Sequence, residues 1–446
     1  MTDSGGLFSG LFVPDEIREL TSDRAWLQGL LDFESALAAA ESEAGIVPAE
    51  AASEIAAACD AGGFDLEALG TAARPAATPV VPVVATLRER LSEEAAGYLH
   101  WGATSQDAID TASMLVARRT VPRIEDELEG VAAACAGLAE EHRETPMVAR
   151  TLLQQGLPTT FGLKAAGWLD GIVDASNRLG GLTLAVQLGG AGGTLASLGD
   201  EGPRVLALLA ERLELAEPTL PWHTARGRVG ELGAALALAA GALEKIALDV
   251  ALLSQTEVGE VAEASGAGRG GSSTLPQKRN AVGSVLAIAC ARRVRGAVAV
   301  LFEAMAQEHE RAAGAWQAEW QTLPEALALT GGAAAAVREA LEGLEVRPER
   351  MRQNLEATGG LLLAESVTMA LAGRLGRARA TDLITAACDR ALDRGRPLRE
   401  ELIADEAVSA ELSEQEIDRA LDPGAYLGSA GGFVDRALAR YRAEGS

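Results

Sequence analysis

The sequence predicts an all-α protein with a central bundle of long helices, and three observations carry that expectation. Apolar residues recur at steps of three and four rather than two. Two long spans, 159–202 and 222–275, contain no proline. Aromatic residues make up only 4% of the chain, so Ala and Leu must build the core. At roughly 150 residues per domain, the chain corresponds to about three domains or one large elongated one. A hydrophobic share of 48% with 23% charged residues is ordinary for a globular chain and excludes disorder.

From the N-terminus, Trp26, Leu30, Phe33 and Leu37 step by four, three and four, which places them on one helix face. Pro79 to Val84 gives the strongest β signal, but its two prolines favour an extended segment over a sheet strand. His142, flanked by Glu141 and Arg143, reads as part of a solvated helix face. Gly189 to Gly193 lacks both the following Gly-Lys-Ser/Thr and the preceding strand of a phosphate-cradling loop, and reads as a tight turn between helices. Leu232, Leu236, Ala239, Leu243, Ile246, Val250 and Leu253 alternate steps of four and three. Such a stripe asks for near-parallel packing, and the small residues among 233–242 let several helices approach closely. Beyond Arg347-Pro348 the chain turns to short, charged helices, punctuated by Pro423 and Gly428 to Gly432. Boundaries near 112 and 350 give an N-terminal helical domain (1–112), a central long-helix bundle domain (113–350) and a C-terminal helical domain (351–446).

Thirty-nine basic against 64 acidic side chains leave a formal net charge of −25. A surface so acidic repels nucleic acid and anionic lipid, so neither is an expected partner. An anionic substrate would need a local basic island, which makes each cation near a candidate site informative. Only Lys164, Lys245 and Lys278 are lysines; the other basic residues are arginines. Cys59, Cys135, Cys290 and Cys388 lie far apart without a Cys-x-x-Cys pair, and encode neither a zinc site nor a disulfide framework. No His/Asp/Glu set has ligand spacing, so no metal is expected. The first residues lack a basic region followed by an apolar core, and no uncharged apolar stretch reaches about 18 residues, so a soluble, cytoplasmic protein is expected.

Three stretches interrupt the helical texture with polar or Gly-rich residues: His100 to Asp107, Arg150 to Gly162, and Gly266 to Asn280. The third leads directly into a helix-patterned segment, Ala281 to Ala304. Its adjacent serines, Lys278 and Asn280 at the approach to a helix N-terminus offer a hydroxyl and several donors to an anion, and the helix dipole adds to them. A plain surface loop is the competing reading.

Gly271-Ser-Ser-Thr-Leu-Pro-Gln-Lys-Arg-Asn280 resembles the Gly-Ser-Ser-x-Met-Pro-x-Lys-x-Asn signature of the fumarase/aspartase superfamily, with Leu275 for methionine and Ala281 for the usual following proline. His100-Trp-Gly-Ala-Thr-Ser-Gln-Asp107 is similar to the first conserved region of that superfamily, and Arg150 to Gly162 to the second. The similarity runs over nearly the whole chain. Within the superfamily, Thr145-Pro-Met, Pro221-Trp-His-Thr-Ala-Arg226 and Gln307-Glu-His-Glu-Arg311 with Trp316 to Trp320 look most like the bacterial 3-carboxy-cis,cis-muconate cycloisomerases, with adenylosuccinate lyase the nearest cousin. The resemblance implies an almost all-helical, three-domain subunit in a homotetramer. It also implies active sites assembled from three subunits, a serine acid/base, a tricarboxylate substrate and no cofactor.

Carried over by motif position, Ser272 is the residue implied to move the proton beside a carboxylate, through an enediolate. A serine hydroxyl does this only if its alkoxide is stabilised, and Lys278, loop amides and the helix N-terminus are the available means. Thr104, Ser105, Thr151, Gln155, Ser273 and Asn280 occupy positions implied to bind substrate, and Arg150 or Arg311 could add charge. His223 and His309, each beside an arginine in a family-like motif, read as site residues; His100 is either a site residue or a hydrogen-bonded structural one. Trp316 and Trp320, four apart, read as core.

The family usually places a histidine where this chain has Leu152 or Gln155, and uses one to protonate a departing amine. In a lactonase-type reaction the group that leaves or adds is a carboxylate of pKa about 4, which needs no proton. The missing histidine therefore favours carbon–oxygen chemistry, that is, a cycloisomerase forming 4-carboxymuconolactone. A carbon–nitrogen lyase and a catalytically silent helical scaffold stay open as alternatives.

Overall fold

The computed structural model describes residues 8–264, Leu275 and residues 278–444. Among these the chain is helical almost throughout, with only two small two-stranded sheets, as the apolar spacing predicts. Helix α1 spans Asp23–Glu43 and starts where Ser22 Oγ accepts from the Ala25 amide. Leu30, Phe33 and Leu37 of its predicted stripe are buried. So are two carboxylates on the same helix, Glu34 and Glu41.

Pro79 to Val84 is not extended: α2 covers Val80–Arg88. Pro79 is its N-cap and Pro82 lies in its first turn, where a backbone N–H has no intrahelical acceptor, so neither proline costs a bond. Val80, Val83 and Leu87 face the core at helical spacing.

Helix α3, Ser105–Glu141, is 37 residues long. It ends just before a hairpin of β1 (Pro146–Thr151) and β2 (Gln154–Thr160), paired antiparallel from Pro146↔Thr160 to Thr151↔Gln154. His142 is buried here rather than solvated. The helix stops one residue earlier, its Nδ1 lies 3.1 Å from Thr145 Oγ1, and the Phe161 ring meets its own edge-on at 5.4 Å.

Helix α4, Phe161–Gly180, is followed by a connection that contains the Gly189–Gly193 turn, as expected, and a short 3-10 helix, Ala196–Glu201, before α5 at Gly202–Leu213. Helices α6 (Gly227–Leu253), α7 (Val282–Glu303) and α8 (Ala315–Glu342) complete the long elements. Every residue of the α6 heptad stripe is at most 4% exposed, so the whole stripe is buried. Strands Val261–Ala262 and Glu345–Val346 form the second sheet, and shorter helices follow to residue 444.

The chain forms two compact units, neither continuous in sequence. The first comprises Met1–Glu129, Ala175–Glu244 and Leu286–Ala336; the second comprises Gly130–Asp174, Lys245–Val285 and Val337–Ser446. Helices α3, α4, α6, α7 and α8 contribute residues to both. Among the described residues no single helix is long and apolar enough to cross a membrane.

Candidate active site

In the first unit the polar motif at 100–107 becomes the start of α3. Thr104 precedes the first helical residue, and Asp107, three residues on, reaches back to its amide at 3.0 Å, the acidic half of a capping box. The same carboxylate, fully buried, also accepts from the Gly189 and Gly190 amides, each at 2.9 Å, and from His223 Nε2 at 2.6 Å. The glycine turn therefore does cradle an anion, but an internal one. Gly189 is required for steric reasons, because a Cβ there would come within 2.8 Å of the His223 ring and of Pro221.

Around this hub Gln106 Nε2 donates to the His223 carbonyl at 2.7 Å, and Arg311 Nε donates to Gln106 Oε1 at 3.2 Å. Thr104, His223 and Arg311, from three separate motifs, are thus joined through Asp107 and Gln106. Ser105 is the first residue of α3. His309 is exposed in a turn two residues before Arg311.

One turn further along α3, Asp110 receives the Arg226 guanidinium at 2.7 and 2.9 Å and the Trp316 indole at 3.0 Å. Glu319 closes the group on Arg226 Nε at 3.0 Å. Burial pushes the Glu319 carboxyl up, and its bonds to Arg226 only partly oppose this. Trp316 is core, as expected, and Trp320 meets its ring edge-on at 4.8 Å.

His100 sits at φ +58 with its Nδ1 2.6 Å from Glu34 Oε1. Burial alone would lower its pKa, but the charge and hydrogen bond of Glu34 outweigh it, and the imidazole is held above its ordinary value.

In the second unit Arg150 is tied by both Nη atoms to Glu260, at 2.9 and 2.7 Å. Glu260 is fully buried and also accepts from Asn354 Nδ2 at 2.7 Å. The charge of Arg150 is thereby met inside the protein. Thr151 and Gln155 are exposed at the tip of the hairpin. Between them Leu152 and Leu153 both take positive φ, 51° and 65°, as a two-residue hairpin turn of the primed kind requires, and they are 97% and 77% exposed. Lys278 and Asn280 are exposed ahead of α7, and the neighbouring Arg279 pairs with Glu345 at 3.2 Å. Ser272 and Ser273 lie outside the described residues.

One expectation for this loop is corrected. The N-terminal amides of α7 are not open to an external anion, because buried Glu263 accepts from the Gly283 and Ser284 amides at 2.9 and 2.8 Å and from Ser284 Oγ at 2.6 Å. The helix dipole is already answered from within the fold.

Sequence reasoning missed Glu34, Asp110 and Glu260, and took Gln106 and Asp107 only as part of a motif. The signal for Glu34 was there, since an acidic residue next to Phe33 falls among apolar positions of one helix. Among the described residues no three His, Cys, Asp or Glu side chains gather to hold a metal ion. What the arrangement offers is cationic and polar groups suited to an anionic ligand: His100, Thr104 and Arg311 in one unit, Lys278, Asn280 and Thr151 in the other.

The lyase family model matches residues 13–296, and the adenylosuccinate lyase C-terminus model matches 360–437. The chain is 49% identical to the 3-carboxy-cis,cis-muconate cycloisomerase of Pseudomonas aeruginosa, over 98% of this chain and 97% of that protein. It is 46% identical to the nitrosuccinate lyase of Streptomyces davaonensis, over 97% and 94%. The crystal structure of the 3-carboxy-cis,cis-muconate lactonizing enzyme from Pseudomonas putida superposes with a TM-score of 0.93 at 45% identity, covering 99% of this chain and 100% of that one.

Proposed function

This chain belongs to the lyase family of the fumarase/aspartase superfamily, and from that premise we propose that it converts 3-carboxy-cis,cis-muconate to 4-carboxymuconolactone. The observation that carries this is the full-length likeness, in sequence and in fold, to enzymes named for that reaction. One substrate carboxylate oxygen forms a carbon–oxygen bond at the carbon β to a second carboxylate. The displaced electron pair moves onto that second carboxylate as an enediolate. Neutral Ser272 gives its proton to the enediolate carbon, and its alkoxide regains one from solvent. With the α7 amides occupied by Glu263, stabilisation of the enediolate falls to Lys278 and Asn280. His100, Thr104, Ser105, His223, Ser273, His309 and Arg311 remain for the substrate carboxylates, with Thr151 and Gln155 at the hairpin tip. Arg150 supports that hairpin through Glu260.

A second reading has one specific support, the nitrosuccinate lyase relative. Nitrite, like a carboxylate, is a stable anion that departs without a proton. Gln155 in place of a histidine therefore disfavours amine leaving groups, not carbon–nitrogen bonds as such. An ultraviolet assay following loss of the conjugated diene of 3-carboxymuconate, run beside nitrosuccinate and adenylosuccinate, decides between them. The expected result is turnover of the diene; turnover of nitrosuccinate or adenylosuccinate alone would overturn it.

The active enzyme is a homotetramer with sites shared between subunits. Leu238, Leu248 and Leu252 lie on one face of α6 and are exposed in the single chain, as are Val300 and Phe302 on α7. Apolar side chains on the long helices favour burial against further copies. Ser272→Ala and a Thr104→Ala, Ser105→Ala double variant, each inactive alone, are expected to recover about a quarter of wild-type activity when unfolded together and refolded, because random mixing restores about one site in four. No recovery, with mixed tetramers confirmed by mass, would show that the two sets come from one chain. Four free cysteines fit a reducing cytoplasm.

A further inference from the structure

Glu34 is a carboxylate in an apolar setting, on α1 beside Leu30, Leu31, Phe33 and Leu37, and is only 2% exposed. An isolated charge there would be costly, and its contact with His100 Nδ1 at 2.6 Å is what offsets the burial. His100 in turn is held at φ +58, a backbone region that sterics disfavour for a residue with a Cβ. Such strain persists only where the surroundings fix it.

We propose that Glu34 is the positioning residue for His100: from 2.6 Å it accepts the Nδ1 proton, fixes the ring, and turns Nε2 toward a substrate carboxylate as the donor of the imidazolium it favours. The proposal rests on the cycloisomerase reading for the identity of the carboxylate, though not for the state of the ring. A partner on one imidazole nitrogen sets what the other can do.

The influences on the ring oppose one another. Glu34 from α1 and Asp107 from α3 favour the imidazolium, while burial, the largest single influence, and Arg88 from α2 oppose it; the net result is upward. Glu41, two turns along α1, adds little negative charge. Burial first, and then the charge of Glu34, push its carboxyl up to about 9, so it is protonated at neutral pH and its unpartnered oxygens are those of a neutral acid.

Two measurements test this. The chain has only four histidines, so imidazole nitrogen resonances of the assembled wild-type enzyme can be followed against pH, His100 being assigned by its loss in His100→Asn. His100 is expected to keep its proton above the ordinary value for histidine, with Nδ1 protonated throughout; titration at or below that value would overturn the proposal without reference to any substrate. The second measurement is Glu34→Gln, which keeps the shape and an acceptor oxygen but removes the charge. KM for the substrate turned over in the ultraviolet assay should rise about tenfold at pH 8 with a smaller change in kcat, and should recover as pH falls and the ring regains its proton. A defect equal at all pH values would mark a merely structural role for Glu34.

Discussion

Replacing Ser272 with alanine is expected to lower turnover by about a thousandfold or more, on the scale of losing an activated nucleophile or proton donor, and to leave the assembly intact. The change deletes a single hydroxyl from a stretch that is polar and Gly-rich in sequence. In the proposed reaction this hydroxyl carries the only proton delivered to carbon, and no histidine stands at 152 or 155 to take over. Turnover in the diene assay and mass by light scattering check the two halves. Activity within about tenfold of wild type would remove Ser272 from its role, because a single bypassed hydrogen bond accounts for no more than that.

Replacing Arg226 with methionine is expected to destabilise the protein by about 3–5 kcal/mol, the usual consequence of removing one partner from a buried ion pair. Methionine fills much of the volume but leaves the buried carboxylates of Asp110 and Glu319 facing each other without the guanidinium they share. The charge of Asp110, no longer offset, then pushes the Glu319 carboxyl further up. Because a raised folded-state carboxyl pKa leaves stability intact below the unfolded value and removes it as pH rises, the variant's deficit should be larger at pH 8 than at pH 5. Thermal or urea unfolding at the two pH values measures this. Equal deficits would mean that Arg226 acts through its packing on the Trp222 ring, 4.9 Å away, and not through charge.

The helices were readable from the sequence because their signal is local. The α6 stripe repeats within a few residues, and each member turns out buried. The departures from those expectations have different causes. Pro79 and Pro82 by composition disfavour a sheet strand, and in the fold both fall where a helix can accept proline. His142 was placed on a solvated face because the neighbouring charges suggested it, while its burial depends on Phe161, nineteen residues on.

The electrostatics of the site followed a different rule. His100 finds Glu34 across 66 residues, Arg150 finds Glu260 across 110, and Arg226 finds Asp110 across 116. Spacing along a chain cannot express such pairs, since a buried charge takes whichever partner the packing brings within about 3 Å. The sequence by itself determined the helical class, the long buried stripe and the three polar motifs. The tertiary structure alone decided which of the charged residues are still available to a ligand. Arg150 and the α7 amides proved to be occupied by Glu260 and Glu263, while His100 is held ready by Glu34, because desolvation forces each buried charge to be answered inside the fold before it can be offered outside.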